Sequence, residues 1–263
     1  MKLKYLLLIS LLSVILASFT LIMAEEETHG DDEKPHWTYE GEAGPEHWGS
    51  LGEAYAVCGT GMAQSPINIL ATEFVEADLT NIQFSYGTTK LNANNTGHSI
   101  QVDVDAGSSI RYNGIVYNLK QFHFHTPSEH TIEGGHADME VHFVHEDPDT
   151  KNLAVIGIFL VMGGDDNTVY ADVFANMLPE AGKKTIADVT LDLNALLPED
   201  TTYLTYQGSL TTPPCSQIVR WLVLGGTVYL SQAQIEAFQA IYAMNARPTQ
   251  DQHDRDLLVD ITE

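Results

Sequence analysis

The most informative stretches of this sequence are Gln121-Phe122-His123-Phe124-His125 and Glu140-Val141-His142. In an extended strand, alternate side chains point to the same face. The first stretch therefore presents its glutamine and both histidines on one face, with two phenylalanines on the other. The second stretch presents its glutamate and its histidine on one face. Together they predict two strands that bring three imidazoles close to one amide and one carboxylate.

Strand-like segments of β-branched and aromatic residues surround these two stretches, with Gly or Asn between several of them. The segments are Asn81–Tyr86, Ser99–Asp103, Ser109–Tyr112, Ile115–His125, Met139–His145, Leu153–Met162 and Ile218–Leu224. Because Leu153–Met162 is nearly all apolar, it predicts a central strand that is covered on both faces.

Helical patterns are few. Ser231-Gln232-Ala233-Gln234 is a capping box, and the apolar spacing after it predicts a helix to about Met244. Thr168–Leu178 predicts a second, shorter helix. With 263 residues, 44% of them hydrophobic, the chain is long enough for one large core. We expect a mainly β (α+β) fold, a single domain built on a large, mostly antiparallel, twisted central sheet with a few peripheral helices.

Three histidines with one open coordination position form the ligand set of a hydrolytic zinc centre. A single His-x-His motif is a weak signal, because it more often marks two hydrogen-bonded side chains than a ligand pair. The third ligand also stays open, since His130, His136, His142 and His145 all follow closely. We favour His142 because Glu140 shares its face and can accept its second ring proton, whereas His145 points to the opposite face.

A rival interpretation is a cupin-type iron or manganese enzyme. Its metal motif begins like His123-x-His125-x-x-x-Glu129. Tyr117 stands where that motif has a glycine, and no second half of the motif is found. A metal assay separates the two interpretations.

The N-terminus predicts export. Two lysines precede an apolar run from Tyr5 to Ala24, which is typical of a secretory signal peptide covering residues 1–24. An uncleaved membrane anchor is the alternative, because the run is long for a signal peptide. The acidic residues 25–36 predict a flexible linker, and residues 37–263 a single folded domain. We expect a periplasmic or extracellular protein without stable membrane association after signal cleavage.

The net charge and the cysteine content limit which classes of partner and which cellular compartment we expect. A formal net charge of −24 repels nucleic acid and anionic membranes. The only two cysteines, Cys58 and Cys215, can pair in one intramolecular way. In an exported protein, this disulfide is favoured over two buried thiols.

Further motifs run across almost the whole of residues 37–263. They are Gly44-Pro45-Glu46-His47-Trp48, Gln64-Ser65-Pro66-Ile67-Asn68-Ile69, Thr96-Gly97-His98, Gln121–His125, Ser128-Glu129-His130, Glu140–His145 and Gly208–Pro214. In this order the set closely resembles the α-class carbonic anhydrases, in their bacterial, exported form. One segment departs from the family: after Asn245–Gln250 the family usually continues with Pro-Leu-Asn, whereas Asp251-Gln252-His253-Asp254 follows here. This departure leaves the packing of the last strand open.

The resemblance implies a zinc enzyme for the reversible hydration of carbon dioxide to bicarbonate and a proton. In such an enzyme, zinc-bound hydroxide attacks carbon dioxide and a histidine carries the proton to solvent. The resemblance implies that His123, His125 and His142 bind Zn²⁺, and that Gln121 and Glu140 orient them. Some family members lose a ligand and serve as binding modules, but all three histidines are present here.

The resemblance also implies roles around the metal. Thr211 would donate to Glu129 and accept from the hydroxide, while His98 would carry the proton. The other implied positions are the apolar wall of Val144, Val155, Leu210 and Trp221, the bicarbonate-orienting Thr212, and the disulfide of Cys58 and Cys215. The expected ligands are carbon dioxide, bicarbonate, and sulfonamide or anion inhibitors. A homodimer is left open.

Overall fold

The computed structural model describes residues 34–260. The predicted signal peptide and residues 25–33 of the predicted linker lie outside them. The strands in the described residues are β1 (Asn68–Ile69), β2 (Phe74–Ala77), β3 (Gln83–Ser85), β4 (Thr88–Asn95), β5 (Ile100–Asp103), β6 (Ser109–Tyr112), β7 (Ile115–His125), β8 (Thr131–Ile132), β9 (Gly135–His136), β10 (Met139–Glu146), β11 (Leu153–Met162), β12 (Gly182–Asp192), β13 (Tyr203–Gly208), β14 (Val219–Leu224), β15 (Val228–Leu230) and β16 (Leu257–Asp260). The α-helices are α1 (Val57–Thr60), α2 (Ala171–Ala175) and α3 (Gln232–Gln239), and 3₁₀ helices cover Gly41–Ala43, Trp48–Ser50, Glu53–Tyr55 and Ala71–Glu73.

One 13-stranded sheet dominates the described residues. Its continuous path runs β12-β4-β5-β7-β10-β11-β14-β13-β16-β2, with β6, β3 and β15 attached beside it. Most neighbours are antiparallel, and the parallel pairs are β11 with β14, β11 with β15 and β16 with β2. A small separate sheet contains β1, β8 and β9. The predicted mainly β fold on a large sheet with few helices is confirmed.

Strand β7 changes the phase of its side-chain alternation at Lys120. Before this residue, Tyr117 and Leu119 enter the main core; after it, Phe122 and Phe124 do so. The pairing of β10 with β7 shifts register at the same place, which leaves Lys120 as the extra residue of a β-bulge. The bulge keeps both phenylalanines in the core and turns the histidines beside them toward the opposite face of the sheet.

Strand β11 contributes to two different cores. Ile156 and Ile158 belong to the main hydrophobic cluster, whereas Val155 and Phe159 pack with Trp221 in a second cluster on the other face of the sheet. The prediction that Leu153–Met162 is covered on both faces is therefore confirmed. The second cluster lies on the same face as the histidines and supplies apolar surface next to them.

The two predicted helices are shorter than their sequence patterns. The capping box at Ser231 is present, but α3 ends at Gln239, and the Ile241 N–H bonds to the Phe238 carbonyl three residues back instead of continuing the α-helical pattern. The backbone N–H of Asn245 then bonds to Thr126, outside the helix. The second helix is limited to α2.

The predicted disulfide and the last strand both form. Cys58 and Cys215 are bonded and lie in a small cluster with Trp48 and Tyr55. Strand β16 pairs with β13 and β2 and buries Leu257, so the departure from the family before it does not prevent its packing. Across residues 34–260, no helix combines the length and the apolar character that crossing a bilayer requires.

Candidate metal centre

Three histidines converge where β7 and β10 pair. His123 and His125 come from β7, and His142 lies directly opposite His123 on β10. One ring nitrogen from each lies within 4.8 Å of the others. Among the four histidines that the sequence allowed as third ligand, only His142 joins this pair in a cluster.

In each of the three rings, the nitrogen that points away from the cluster forms a hydrogen bond to an oxygen acceptor. Because these oxygens can only accept a hydrogen bond, the outer nitrogen of each ring carries the N–H and the inner nitrogen keeps a lone pair. The bonds run from His123 Nδ1 to Gln121 Oε1 (2.8 Å), from His125 Nδ1 to the Asn245 carbonyl (2.8 Å), and from His142 Nε2 to Glu140 Oε1 (2.9 Å). The inner nitrogens are thus Nε2, Nε2 and Nδ1, as metal ligation requires.

Burial keeps these rings neutral. It lowers the pKa of His123 well below its usual value, with further lowering from His125 and His142. It lowers the pKa of His125 to about 4 and also lowers that of His142. His125 Nε2 is buried and has no hydrogen-bond partner in the described structure. A buried lone pair without a partner is unusual, and a cation between the three rings would satisfy it. The residues therefore fit a metal ion with nitrogen preference.

Glu140 is held by four donors. Its Oε1 accepts from His142 and from His130 Nδ1 (2.7 Å), and its Oε2 accepts the backbone N–H groups of Glu129 and His130, both at 2.9 Å. Burial raises the pKa of Glu140, but the interactions with His130 and His142 outweigh this and hold it well below its usual value. Opposite, a Cβ at Gly157 would lie 2.8 Å from Glu140 Oε1, so glycine leaves room for this carboxylate.

The other histidines that the sequence offered are used elsewhere. His130 bonds to Glu140 and, through Nε2, to the Tyr206 hydroxyl (2.7 Å). His136 bonds to the Ser128 carbonyl. His145 faces the main core, where it bonds to the Tyr86 hydroxyl. His130, Glu140 and His142 also form a compact group, but hydrogen bonds within the group already occupy their facing atoms.

Glu129 lies beside the histidine cluster. Its Oε1 accepts the backbone N–H of Arg247 (2.9 Å), and its Oε2 is 3.4 Å from His125 Nε2. Burial raises the pKa of Glu129 to about 7, against lowering by His142, Arg247 and a hydrogen bond from the Thr211 side chain. Oε2 has no partner that meets strict hydrogen-bond geometry. Glu129 Oε2 is therefore able to accept a hydrogen bond beside the histidine cluster.

The disulfide ties the loop of Thr211 to the same region. The Cys215 carbonyl accepts from Gln64 Nε2 (3.0 Å), and the Cys58 carbonyl accepts from Arg247 Nη2 (3.0 Å). Because the backbone N–H of Arg247 holds Glu129, this residue links the disulfide to the carboxylate beside the cluster.

A cavity of about 290 Å³ opens onto the three histidines. One part of its wall is apolar and another is polar. The cavity is lined by all the predicted pocket residues (Val144, Val155, Leu210, Thr212 and Trp221) together with Gln121, His98 and Thr211. The structure therefore brings the three histidines, His98, Thr211 and the predicted pocket residues to one cavity, with Glu129 and Glu140 buried behind it.

His98 lies in the cavity wall and is half-buried. Its ring stacks on Trp37, with ring centroids 3.6 Å apart and planes 10° from parallel. Partial burial, and then His36, lowers the pKa of His98. The pattern of β-strands gave no signal for this aromatic partner, because Trp37 is distant in sequence and lies outside any strand.

Comparison with known proteins gives the family. The family described as eukaryotic-type carbonic anhydrase matches residues 43–260. The chain belongs to the α-class carbonic anhydrases. A carbonic anhydrase of Klebsiella pneumoniae is 43% identical over 219 residues, 82% of this chain and 87% of that protein. One of Neisseria gonorrhoeae is 39% identical over 242 residues, 91% of this chain and 92% of that protein.

A solved structure agrees with this family. The α-carbonic anhydrase of Thermovibrio ammonificans, in complex with the inhibitor sulfanilamide, matches with a TM-score of 0.82 and 40% sequence identity. The match covers 85% of this chain and 99% of that one. The resemblance inferred from the motifs is therefore confirmed, and the cupin interpretation is wrong. This α-class carbonic anhydrase is an enzyme, and membership of the family supports the hydration of carbon dioxide as its reaction.

Proposed function

We propose that this chain binds one Zn²⁺ through His123 Nε2, His125 Nε2 and His142 Nδ1 and hydrates carbon dioxide reversibly to bicarbonate and a proton. The observation that carries the proposal is the convergence of three inner ring nitrogens, each fixed by an outer hydrogen bond, at the base of a partly apolar cavity.

The donor set favours zinc. Imidazole nitrogens suit zinc better than magnesium or calcium, and three protein ligands leave a fourth tetrahedral position open. When bound there, zinc lowers the pKa of a water at the open position to about 7, a value established for carbonic anhydrases in general. Because all three ligands are neutral, they leave the charge of the ion undiminished.

The apolar wall suits the substrate. Val144, Val155, Leu210 and Trp221 face the cavity next to the three histidines. A small, uncharged, linear molecule such as carbon dioxide loses little hydration when it contacts such a wall. Bicarbonate is charged, so contact with an apolar wall does not stabilise it. Thr212, at the same cavity, offers a hydroxyl that can orient the charged product.

Thr211 orients the attacking oxygen. A threonine hydroxyl has one proton. If Thr211 gives this proton to Glu129, its oxygen can only accept, and it then fixes the proton of the attacking oxygen and aims its lone pair at carbon dioxide. The place of Thr211 in the cavity wall, and the hold of Arg247 on the Glu129 carboxylate, whose Oε2 has no hydrogen-bond partner among the described residues, support this role.

His98 moves the proton to solvent. Each turnover releases one proton, and an imidazole is the side chain whose ordinary pKa suits that task near neutral pH. His98 lines the cavity but lies on a different element from the three ligands, in the turn between β4 and β5.

We expect His98→Ala to lower kcat by up to about 10²-fold in dilute buffer, because a positioned proton carrier is lost. Added imidazole should restore most of the rate. The measurement is stopped-flow hydration at several buffer concentrations, with the exposed His47→Ala as control. An unchanged rate in dilute buffer would remove the shuttle role.

We expect Glu140→Gln to keep the fold and to release zinc about 10-fold to 100-fold faster, because an amide can no longer take four donors. The measurement is zinc transfer to a chromogenic chelator. Glu146→Gln, on the same strand but partly exposed and paired with Lys120 and Lys151, is the matched control and should release zinc at the wild-type rate. Equal rates for both variants would count against Glu140 as an orienting group.

Export and inhibition complete the proposal. Residues 1–24 act as a signal peptide, residues 25–36 as a linker and residues 37–263 as the catalytic domain, which works in the periplasm or outside the cell. The disulfide supports an oxidising compartment. Sulfonamides and small anions should bind at the open zinc position, as the sulfanilamide complex of the Thermovibrio relative suggests.

Stopped-flow hydration of carbon dioxide, on protein of known zinc content, tests the function. We expect activity that scales with zinc and disappears when a sulfonamide is added. A zinc-loaded protein that does not accelerate hydration would contradict the proposal and revive the interpretation as a binding module.

A further inference from the structure

Asn245 is fully buried behind the metal centre and uses both its backbone and its side chain. Its carbonyl accepts from the ligand His125, and its N–H donates to the Thr126 carbonyl (3.0 Å). Its side-chain Oδ1 accepts the N–H of Thr126 (2.8 Å). Its Nδ2 donates to the carbonyls of Phe124 (2.9 Å) and His98 (3.1 Å). One residue thus contacts the strand of a metal ligand and the residue placed as proton carrier.

The two ends of Asn245 have different tasks. The backbone carbonyl fixes the ring of His125 and would remain after any substitution. The side chain offers one acceptor and two donors, and all three are used. An aspartate has the same shape but can only accept when it is ionised. Only an amide therefore fits all the side-chain bonds at this position.

The turn that carries His98 is joined to the strand of the metal ligands by few hydrogen bonds, and Asn245 makes one of them. Bonds to Thr96 Oγ1 organise the turn internally. Regular pairing of β5 with β7 begins only at Gln101, three residues after His98. Between these points, Ser99 Oγ bonds to the Phe124 carbonyl (2.5 Å), and Asn245 bonds to both Phe124 and His98. Asn245 is the contact that reaches the carbonyl of His98 itself.

We infer that Asn245 is a positioning residue whose side-chain amide sets the placement of His98 relative to the metal centre, and so sets the rate of proton transfer to solvent. The inference rests on the proposed function. The side chain of Asn245 acts on the proton transfer that follows the hydration of carbon dioxide, whereas the carbonyl of Asn245 acts on zinc retention. The two effects are therefore separable by substitution.

Asn245→Asp tests the inference, because it removes both donors and keeps the shape, the acceptor for Thr126 and the carbonyl for His125. We expect kcat in dilute buffer to fall about tenfold, since a displacement of about 1 Å can cost up to 10²-fold in rate. We expect kcat/KM and the rate of zinc release to stay within about twofold of wild type. Added imidazole should restore kcat.

Two variants serve as controls. Asn167→Asp makes the same substitution at a partly exposed asparagine that does not line the cavity. The Oδ1 of Asn167 accepts the N–H groups of Val169 and Tyr170, and its Nδ2 donates to the Tyr229 carbonyl. This control variant should leave kcat unchanged. Asn245→Ala removes the donors without adding a buried charge, so a folding defect specific to the aspartate variant is recognised by comparison.

A spectroscopic readout does not depend on activity. Because the His98 ring stacks on Trp37, its ring-proton chemical shifts report its placement. They should move in Asn245→Asp and Asn245→Ala but not in Asn167→Asp. Unchanged His98 signals, a fall of kcat and kcat/KM together, or faster zinc release would each overturn the inference. An inactive wild-type enzyme would instead contradict the proposed function, while the His98 signals would still decide the positioning role.

Discussion

Replacing His123 with alanine is expected to abolish both zinc binding and hydration of carbon dioxide. The substitution leaves two imidazoles and frees Gln121 of its partner. Losing a direct ligand should weaken zinc binding by more than the 10-fold to 100-fold that is typical for a group behind a ligand. The measurements are zinc per chain after dialysis against a weak chelator and stopped-flow hydration of the same sample.

His136→Ala is the matched control, because it removes a histidine that bonds only to the Ser128 carbonyl in the described structure. It should keep one zinc per chain and full activity. If His123→Ala retains zinc at the wild-type level, the assignment of the ligands is wrong, whatever the activity of the variant.

Replacing Thr211 with valine is expected to slow hydration by about 10²-fold or more while zinc stays bound. Valine keeps the shape but removes the hydroxyl that we propose links Glu129 to the attacking oxygen. Loss of one preorganised hydrogen bond to a reacting oxygen costs about 10²-fold to 10³-fold in other enzymes. The readouts are kcat/KM for hydration and zinc content.

Thr211→Ser tests whether the hydroxyl is responsible, because serine restores the donor and acceptor without the methyl group. It should recover most of the lost rate. Equal loss in the valine and serine variants would assign the effect to packing. Zinc loss in Thr211→Val would show that the loop supports the metal rather than the attacking oxygen.

Strand periodicity explains why much of the site could be predicted. In a strand, side chains two residues apart must share a face, so the positions of Gln121, His123 and His125 follow from the sequence once β7 is recognised. The same reasoning places Glu140 with His142. The apolar run of β11 likewise predicted its burial on both faces, because no polar residue interrupts it.

Other features had no such signal. The bulge at Lys120 inverts the alternation within one strand, and only the partner strand reveals it. Strands β4 and β12 are rich in polar residues and pair at one side of the sheet, so their burial pattern is weak. The carbonyl of Asn245 is a backbone acceptor, which every residue possesses; its contact with His125 depends on long-range packing.

Zinc-edge anomalous difference density in crystals of the zinc-loaded enzyme shows where the ion binds. We expect a single strong peak about 2.0–2.1 Å from His123 Nε2, His125 Nε2 and His142 Nδ1, with no protein atom at the fourth coordination position. A peak elsewhere, or the Glu129 carboxylate in that position, would contradict the proposed metal site.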